Sequence, residues 1–156
     1  MNEEDVSKIT EKIVGAAIEV HREIGSGLLK RVYQRCLAAV LEEAGLNVLQ
    51  DQSIPALFRG KTIDEDGYRV DLIVEDTVIV EIESSYDDDP IRGKQLLTHL
   101  RFAEKPCGFV LNFGKSRLVD GIRRVRNDYL PRYEEPQEPQ EETQETQGTQ
   151  WDSTDE

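Results

Sequence analysis

The sequence predicts an α/β fold in which helices cover a mixed β-sheet. Two amphipathic helical patterns come first, several β-branched strand patterns follow, and a third helix precedes one more apolar strand. This order of helix, helix, strands, helix and strand is typical of a layered α/β domain. A domain over residues 1–132 is expected, because that length can bury a moderate core.

The first two helices are predicted from apolar residues at three- and four-residue spacing. Residues 3–24 carry one such stripe, and Gly25-Ser26-Gly27 ends it. A second helix is expected from about residue 28 to residue 44. Its apolar side is marked by Leu29, Val32, Cys36 and Val40, widened by Leu37 and Leu41.

A third helix is expected over residues 90–103. Asp89 can cap its first turn, and Pro90 suits the first helical position. This helix places Arg92, Gln95 and His99 on one side. The acidic run at 87–89 is interpreted as capping and solvated residues, with an extra metal ligand as the alternative.

Short strands are expected around the helices. Residues 48–49 and 54–58 favour two separate pieces, with a turn at 59–61, and Pro55 indicates an edge position. The acidic segment 64–67 is interpreted as a solvated turn. Residues 108–113 predict a further strand, while 118–125 fits either a strand or a short helix, with strand favoured.

Residues 68–83 carry the best functional clue, a β-hairpin with carboxylates among its apolar residues. If residues 75–77 form a three-residue loop, Asp71 lies across from Glu81 on one face. Glu83 shares that face with Glu81, because strand side chains alternate. Facing carboxylates repel each other unless a cation lies between them or one is protonated.

Charge is distributed unevenly along the chain. The net charge is −13, and residues 134–156 contribute nine acidic residues with no Lys or Arg. Residues 133–156 are therefore predicted to be a disordered tail, with a protein-docking role or a solubility role as alternatives. Residues 92–126 are rich in Lys and Arg and could meet nucleic-acid phosphates, or form an ordinary charged surface.

Cysteine spacing and hydropathy indicate the compartment. Cys36 and Cys107 lack metal-type spacing and are expected to be buried free thiols. No apolar run approaches the ~20 residues of a membrane span, so a cytoplasmic protein with no membrane partner is expected. His21, near the end of the first helix, is interpreted as a structural or surface residue.

Several motifs together resemble the bacterial GxxExxY proteins, which are similar to the PD-(D/E)XK nuclease superfamily. The segments that carry the resemblance are Gly-Leu-Leu-Lys-Arg-Val-Tyr at 27–33, Gly-Tyr-Arg-Val-Asp at 67–71, Val-Glu-Ile-Glu at 80–83 and Gln-Leu-Leu-Thr at 95–98. The resemblance spans residues 5–127 and implies a restriction-endonuclease-like fold. It implies that Asp71 and Glu81 hold Mg²⁺ or Mn²⁺, and that Gln95 completes the site.

Two positions depart from the family pattern. Lys30 occupies the position of the family's glutamate, and Glu83 that of its catalytic lysine. If Lys30 projects towards the hairpin, it is a displaced catalytic lysine and Glu83 a third acidic group. The alternative is a catalytically silent nucleic-acid- or protein-binding module in which Lys30 and Glu83 form a salt bridge.

Overall fold

The computed structural model describes residues 1–128, which form three helices, one 3₁₀ turn and a five-stranded sheet. In chain order these are α1 (Glu3–Ile24), α2 (Lys30–Glu43), β1 (Val48–Phe58), β2 (Lys61–Val74), β3 (Val78–Glu83), α3 (Ile91–Ala103), β4 (Cys107–Asn112), the 3₁₀ turn (Leu118–Gly121) and β5 (Ile122–Arg126). The strands lie in the order β1-β2-β3-β4-β5, and only β3 and β4 are parallel. The predicted α/β fold with a mixed sheet is confirmed.

Helices cover both faces of this sheet. Val78, Val80 and Ile82 of β3 belong to the core that α1 and α2 bury, whereas Ile79 belongs to the core beneath α3. Alternation along one strand therefore supplies both cores. Since α3 connects the parallel strands β3 and β4, its residues lie directly over the β3 face that includes Ile79.

Helix α1 has the predicted bounds. Asn2 and Asp5 form a capping box, in which each side chain accepts from the backbone N–H of the other residue. Gly25 ends the helix with φ of 74°, a left-handed value that favours glycine. His21 is buried and bonds the carbonyl oxygen of Lys115 at 2.9 Å, as expected for a structural histidine.

The predicted apolar side of α2 is correct in part: Leu37 and Leu41 are buried, and Cys36 and Val40 pack against the core. Leu29 and Val32 are 74% and 40% exposed, whereas Tyr33, Leu37 and Leu41 are fully buried. The prediction omitted Tyr33, whose ring stacks on Phe113 at a centroid distance of 4.5 Å. This tertiary contact rotates the buried face of the helix towards Tyr33 and away from Leu29.

Strands β1 and β2 are longer than predicted. Residues 48–58 form one edge strand instead of two, and Pro55 lies at its irregular point. Residues 64–67, expected to be a solvated turn, belong to β2. Asp64 pairs with Ala56 of β1 and Tyr68 with Ile54, and this pairing on either side of a register shift outweighs the low strand propensity of the segment. A Cβ atom on Gly67 would overlap the carbonyl oxygen of Ile54, so the strands approach each other closely there.

Other predictions near the C-terminus hold in part. Residues 118–125 divide into the 3₁₀ turn and most of β5, where a single strand was favoured. Cys107 is buried and Cys36 half-buried, and both are free thiols. The predicted tail at 133–156 lies outside the described residues. Of the helices in residues 1–128, none has the length and apolar character to cross a membrane.

Candidate active site

The β2–β3 hairpin has the predicted three-residue loop, but its strands separate beside the carboxylates. Val74 pairs with Val78 and Leu72 with Val80, so Asp71 and Glu81 are the next residues along the two strands, further from the loop. No backbone pair is formed there. Instead Asp71 Oδ2 accepts the backbone N–H of Ile82 at 2.7 Å. The Asp71 carboxylate thus satisfies a donor that would otherwise lack a partner at the end of the ladder.

A cavity of about 610 Å³ lies between this end of the hairpin and α3. His99 and Arg92 line the cavity. So do all five candidate residues from the sequence, which are Lys30, Asp71, Glu81, Glu83 and Gln95. Lys30 comes from the first turn of α2 and Gln95 from the exposed side of α3. One cavity therefore joins residues from both helical layers.

Lys30 projects towards the hairpin. Its Nζ lies 3.0 Å from Asp71 Oδ1. The alternative salt bridge between Lys30 and Glu83 is wrong, because Glu83 pairs instead with Arg92. A lysine in the first helical turn opposes the positive end of the helix dipole. The favourable charge contact with Asp71 offsets that local cost.

Glu81 is held by a histidine. His99 Nδ1 lies 3.0 Å from Glu81 Oε1, where the ring N–H donates to the carboxylate. Tyr68 packs against the His99 ring at a centroid distance of 5.0 Å. Burial raises the pKa of Glu81, the His99 hydrogen bond opposes this, and the charge of Asp71 adds to it. The sequence placed His99 on the correct side of α3 but gave no sign of its partner.

Glu83 has the least solvent-exposed side chain of the three carboxylates. It is 6% exposed, and Arg92 Nε lies 3.0 Å from its Oε1. The contact is close but poorly aligned, since neither Glu83 oxygen accepts a hydrogen bond from a described residue. Burial raises the pKa of Glu83, while Arg92 and Arg123 favour its ionised form.

The predicted start of α3 is wrong by one residue. The helix begins at Ile91, so Pro90 instead of Asp89 is the N-cap residue and no side chain caps the helix, although Asp89 Oδ1 accepts the backbone N–H of Ile91. Asp88 accepts from the Asn112 side chain and pairs with Lys115. These contacts hold the loop between β3 and α3 against the end of β4.

The basic segment 92–126 does not form one surface. Arg92 lines the cavity beside α3, and Arg123 donates to the carbonyl oxygen of Asp89 nearby. Arg124 instead lies beside Cys107. Burial raises the pKa of the Cys107 thiol, and the charge of Arg124 opposes only part of that rise. Only part of the predicted basic segment therefore borders the candidate site.

The donor set suits a cation that retains bound waters. No group of three or more acidic, histidine or cysteine residues within 1–128 is arranged to hold a metal ion. Asp71 and Glu81 remain as two carboxylates close enough for one to raise the pKa of the other. Mg²⁺ commonly uses one or two carboxylates together with water and substrate phosphate, and Mn²⁺ accepts similar oxygen ligands. The residues present fit such an ion.

The fold and cavity define a class of protein: an α/β domain with paired carboxylates where a β-hairpin meets a covering helix. A model of the PD-(D/E)XK nuclease superfamily matches residues 7–125. The chain belongs to that superfamily. A search of curated proteins and a search of solved structures each gave no significant match.

Proposed function

We propose that this protein is a metal-dependent nuclease in which Lys30 replaces the lysine missing from the hairpin. The observation that carries the proposal is the 3.0 Å contact of Lys30 Nζ with Asp71 Oδ1, in the cavity that Glu81 also lines. The family inventory of carboxylates and one lysine is thereby retained, with the lysine supplied from α2. The reaction would be hydrolysis of a nucleic-acid phosphodiester.

Each residue has a distinct part in this proposal. Asp71 and Glu81 are the metal ligands, with His99 fixing the orientation of Glu81. Lys30 has two further N–H donors beyond its Asp71 contact, and these can orient a water or a phosphate oxygen. Gln95 is an exposed amide on the facing helix and can hold the same water. When bound, Mg²⁺ or Mn²⁺ supplies charge neutralisation and a more acidic water.

A cleavage assay tests the proposal. The full chain is incubated with labelled DNA and RNA in the presence of Mg²⁺ or Mn²⁺. We expect cleavage by the wild type, its loss in Asp71→Asn and Lys30→Met, and its retention in Lys12→Met. Lys12 is an exposed lysine of α1 far along the chain from the hairpin. Inactivity of the wild type with both metals rejects the proposal, as does full activity of Lys30→Met.

One observation favours a second candidate, a catalytically silent nucleic-acid-binding module. Asp71 and Glu81 each already contact a nitrogen donor, Lys30 and His99 respectively. A metal is therefore not needed to relieve their repulsion. Calorimetric titration with Mn²⁺ separates the candidates: binding that is lost in Asp71→Ala favours the nuclease. Nucleic-acid binding without Mn²⁺ binding or cleavage favours the silent module.

A further inference from the structure

The buried carboxylate of Glu83 needs a reason to be where it is. It stands at the position of the family's lysine, is 6% exposed and accepts no hydrogen bond from a described residue. Burying an ionised group without partners is costly. The nearest compensation is the guanidinium of Arg92, with Nε 3.0 Å from Glu83 Oε1.

The contact with Glu83 is made at one nitrogen of the guanidinium, Nε. A closed structural pair of arginine and carboxylate is commonly bidentate, with two parallel N–H···O bonds. Here the contact recorded with Glu83 is through Nε, neither Glu83 oxygen accepts a hydrogen bond from a described residue, and the terminal Nη1 and Nη2 have no hydrogen bond to a residue within 1–128. The end of the guanidinium fork is therefore available, and it presents two N–H groups in the geometry that matches a phosphate.

The position of Arg92 in the cavity indicates that Nη1 and Nη2 can bind an anion there. The side chain is 49% exposed and lines the same cavity as Asp71 and Glu81. Arg92 also lies in the first turn of α3, where the helix dipole favours an anion. Arg123, which donates to the carbonyl oxygen of Asp89, adds positive charge on this side of the cavity.

We propose that Arg92 binds a backbone phosphate of the nucleic acid through Nη1 and Nη2, while the charge of the Glu83 carboxylate, 3.0 Å from Nε, keeps the guanidinium beside the cavity. Arg92 is then the substrate-binding residue and Glu83 a positioning residue that acts through it. This inference rests on the proposed function, which supplies a phosphodiester ligand. It also explains the exchange at position 83: a carboxylate there orients a neighbouring cation, where a lysine would itself be the cation.

Nucleic-acid binding without hydrolysis tests the inference. The full chain carrying Asp71→Asn is titrated, in chelator, into labelled DNA and RNA duplexes of one sequence over a range of KCl concentrations. Fluorescence anisotropy gives the slope of log affinity against log salt. Each lost phosphate contact reduces that slope by about 0.9 for a DNA duplex. We expect this reduction, with weaker binding, in Arg92→Gln.

Two further variants separate geometry from net charge. Arg92→Lys keeps the charge, but its single ammonium would face Glu83 and leave no fork, so we expect nearly the same loss as in Arg92→Gln. Arg22→Gln removes an exposed arginine of α1 and should leave the slope unchanged. The double variant Glu83→Gln with Arg92→Gln removes both charges together, and should show the loss even if Arg92→Gln alone fails to fold.

The outcomes distinguish this inference from the proposed function. If the parent binds and Arg92→Gln leaves the slope unchanged, the inference is overturned while the nuclease proposal stands. Full affinity and slope in Arg92→Lys overturn it as well, because charge alone would then suffice. If the parent binds neither duplex, this inference fails, while the cleavage assay with Mg²⁺ or Mn²⁺ still decides the proposed function. A preference for one duplex identifies which nucleic acid supplies the phosphate.

Discussion

Replacing Lys30 by methionine removes the charge beside Asp71 while keeping a side chain of similar length. Coulomb's law at an effective dielectric constant of about 20 gives roughly 5.5 kcal/mol for unit charges 3.0 Å apart. The lysine side chain is 48% exposed and that of Asp71 12%, so solvent screens much of this attraction. The pair is therefore intermediate between an exposed salt bridge, which contributes little to stability, and a buried one, which is costly to break. We expect Lys30→Met to destabilise the fold by about 1–2 kcal/mol near pH 7.

The cost should depend on pH in a definite direction. The pKa of Glu81 is raised from 4.5, so the folded protein holds a proton that the unfolded chain has already lost. Stability therefore falls as pH rises from about 4.5 through the raised value. Lys30 lowers that pKa, and its removal widens this interval. The difference between Lys30→Met and wild type should therefore grow towards neutral pH and shrink on acidification.

Urea unfolding near pH 7 and again near pH 5 measures this difference, with Lys12→Met as the control. The exposed Lys12 has no ion pair with a described residue, so its substitution should change stability by less than about 0.5 kcal/mol. A cost of Lys30→Met that is no larger than the control, or that increases on acidification, would refute the electrostatic account of the site.

Three further substitutions test the scaffold by thermal or urea unfolding. Gly67→Ala should cost more than about 3 kcal/mol, because its Cβ would overlap a carbonyl oxygen of β1 and φ there is 43°; a change under 1 kcal/mol would contradict the close strand approach. Tyr33→Phe should cost about 1–3 kcal/mol, because the hydroxyl donates to the Gly25 carbonyl at 2.6 Å and accepts from the Leu28 N–H at 3.1 Å. Gly15→Ala, at an exposed helical position with open space for the Cβ, should instead stabilise the protein by about 0.5–1 kcal/mol.

Local patterns in the sequence were sufficient for the elements that depend on near neighbours. The bounds of α1 follow from one apolar stripe, acidic residues in its first turn and the glycine that ends it. The hairpin loop at 75–77 follows from β-branched runs on either side. Side-chain spacing on α3 also placed Arg92, Gln95 and His99 on the side that faces the cavity.

Predictions failed where a distant partner outweighed local preference. Residues 64–67 are acidic and end in glycine, yet they lie within β2, because Asp64 pairs with Ala56 of β1 and Tyr68 with Ile54 on either side of an irregularity in the register. The α2 prediction included the exposed Leu29 and Val32 and omitted Tyr33, whose ring stacks on Phe113, far along the chain. Neither partner can be identified from spacing within the segment itself.

The sequence by itself determined the hairpin, its carboxylates at 71 and 81, and the charges of the residues at 30 and 83, because each is a matter of residue order. Only the tertiary structure decided which charges meet. The first turn of α2 places Lys30 beside Asp71, and the first turn of α3 places Arg92 beside Glu83. Attraction between charges acts over a few ångströms, and those distances are set by how helices pack on the sheet.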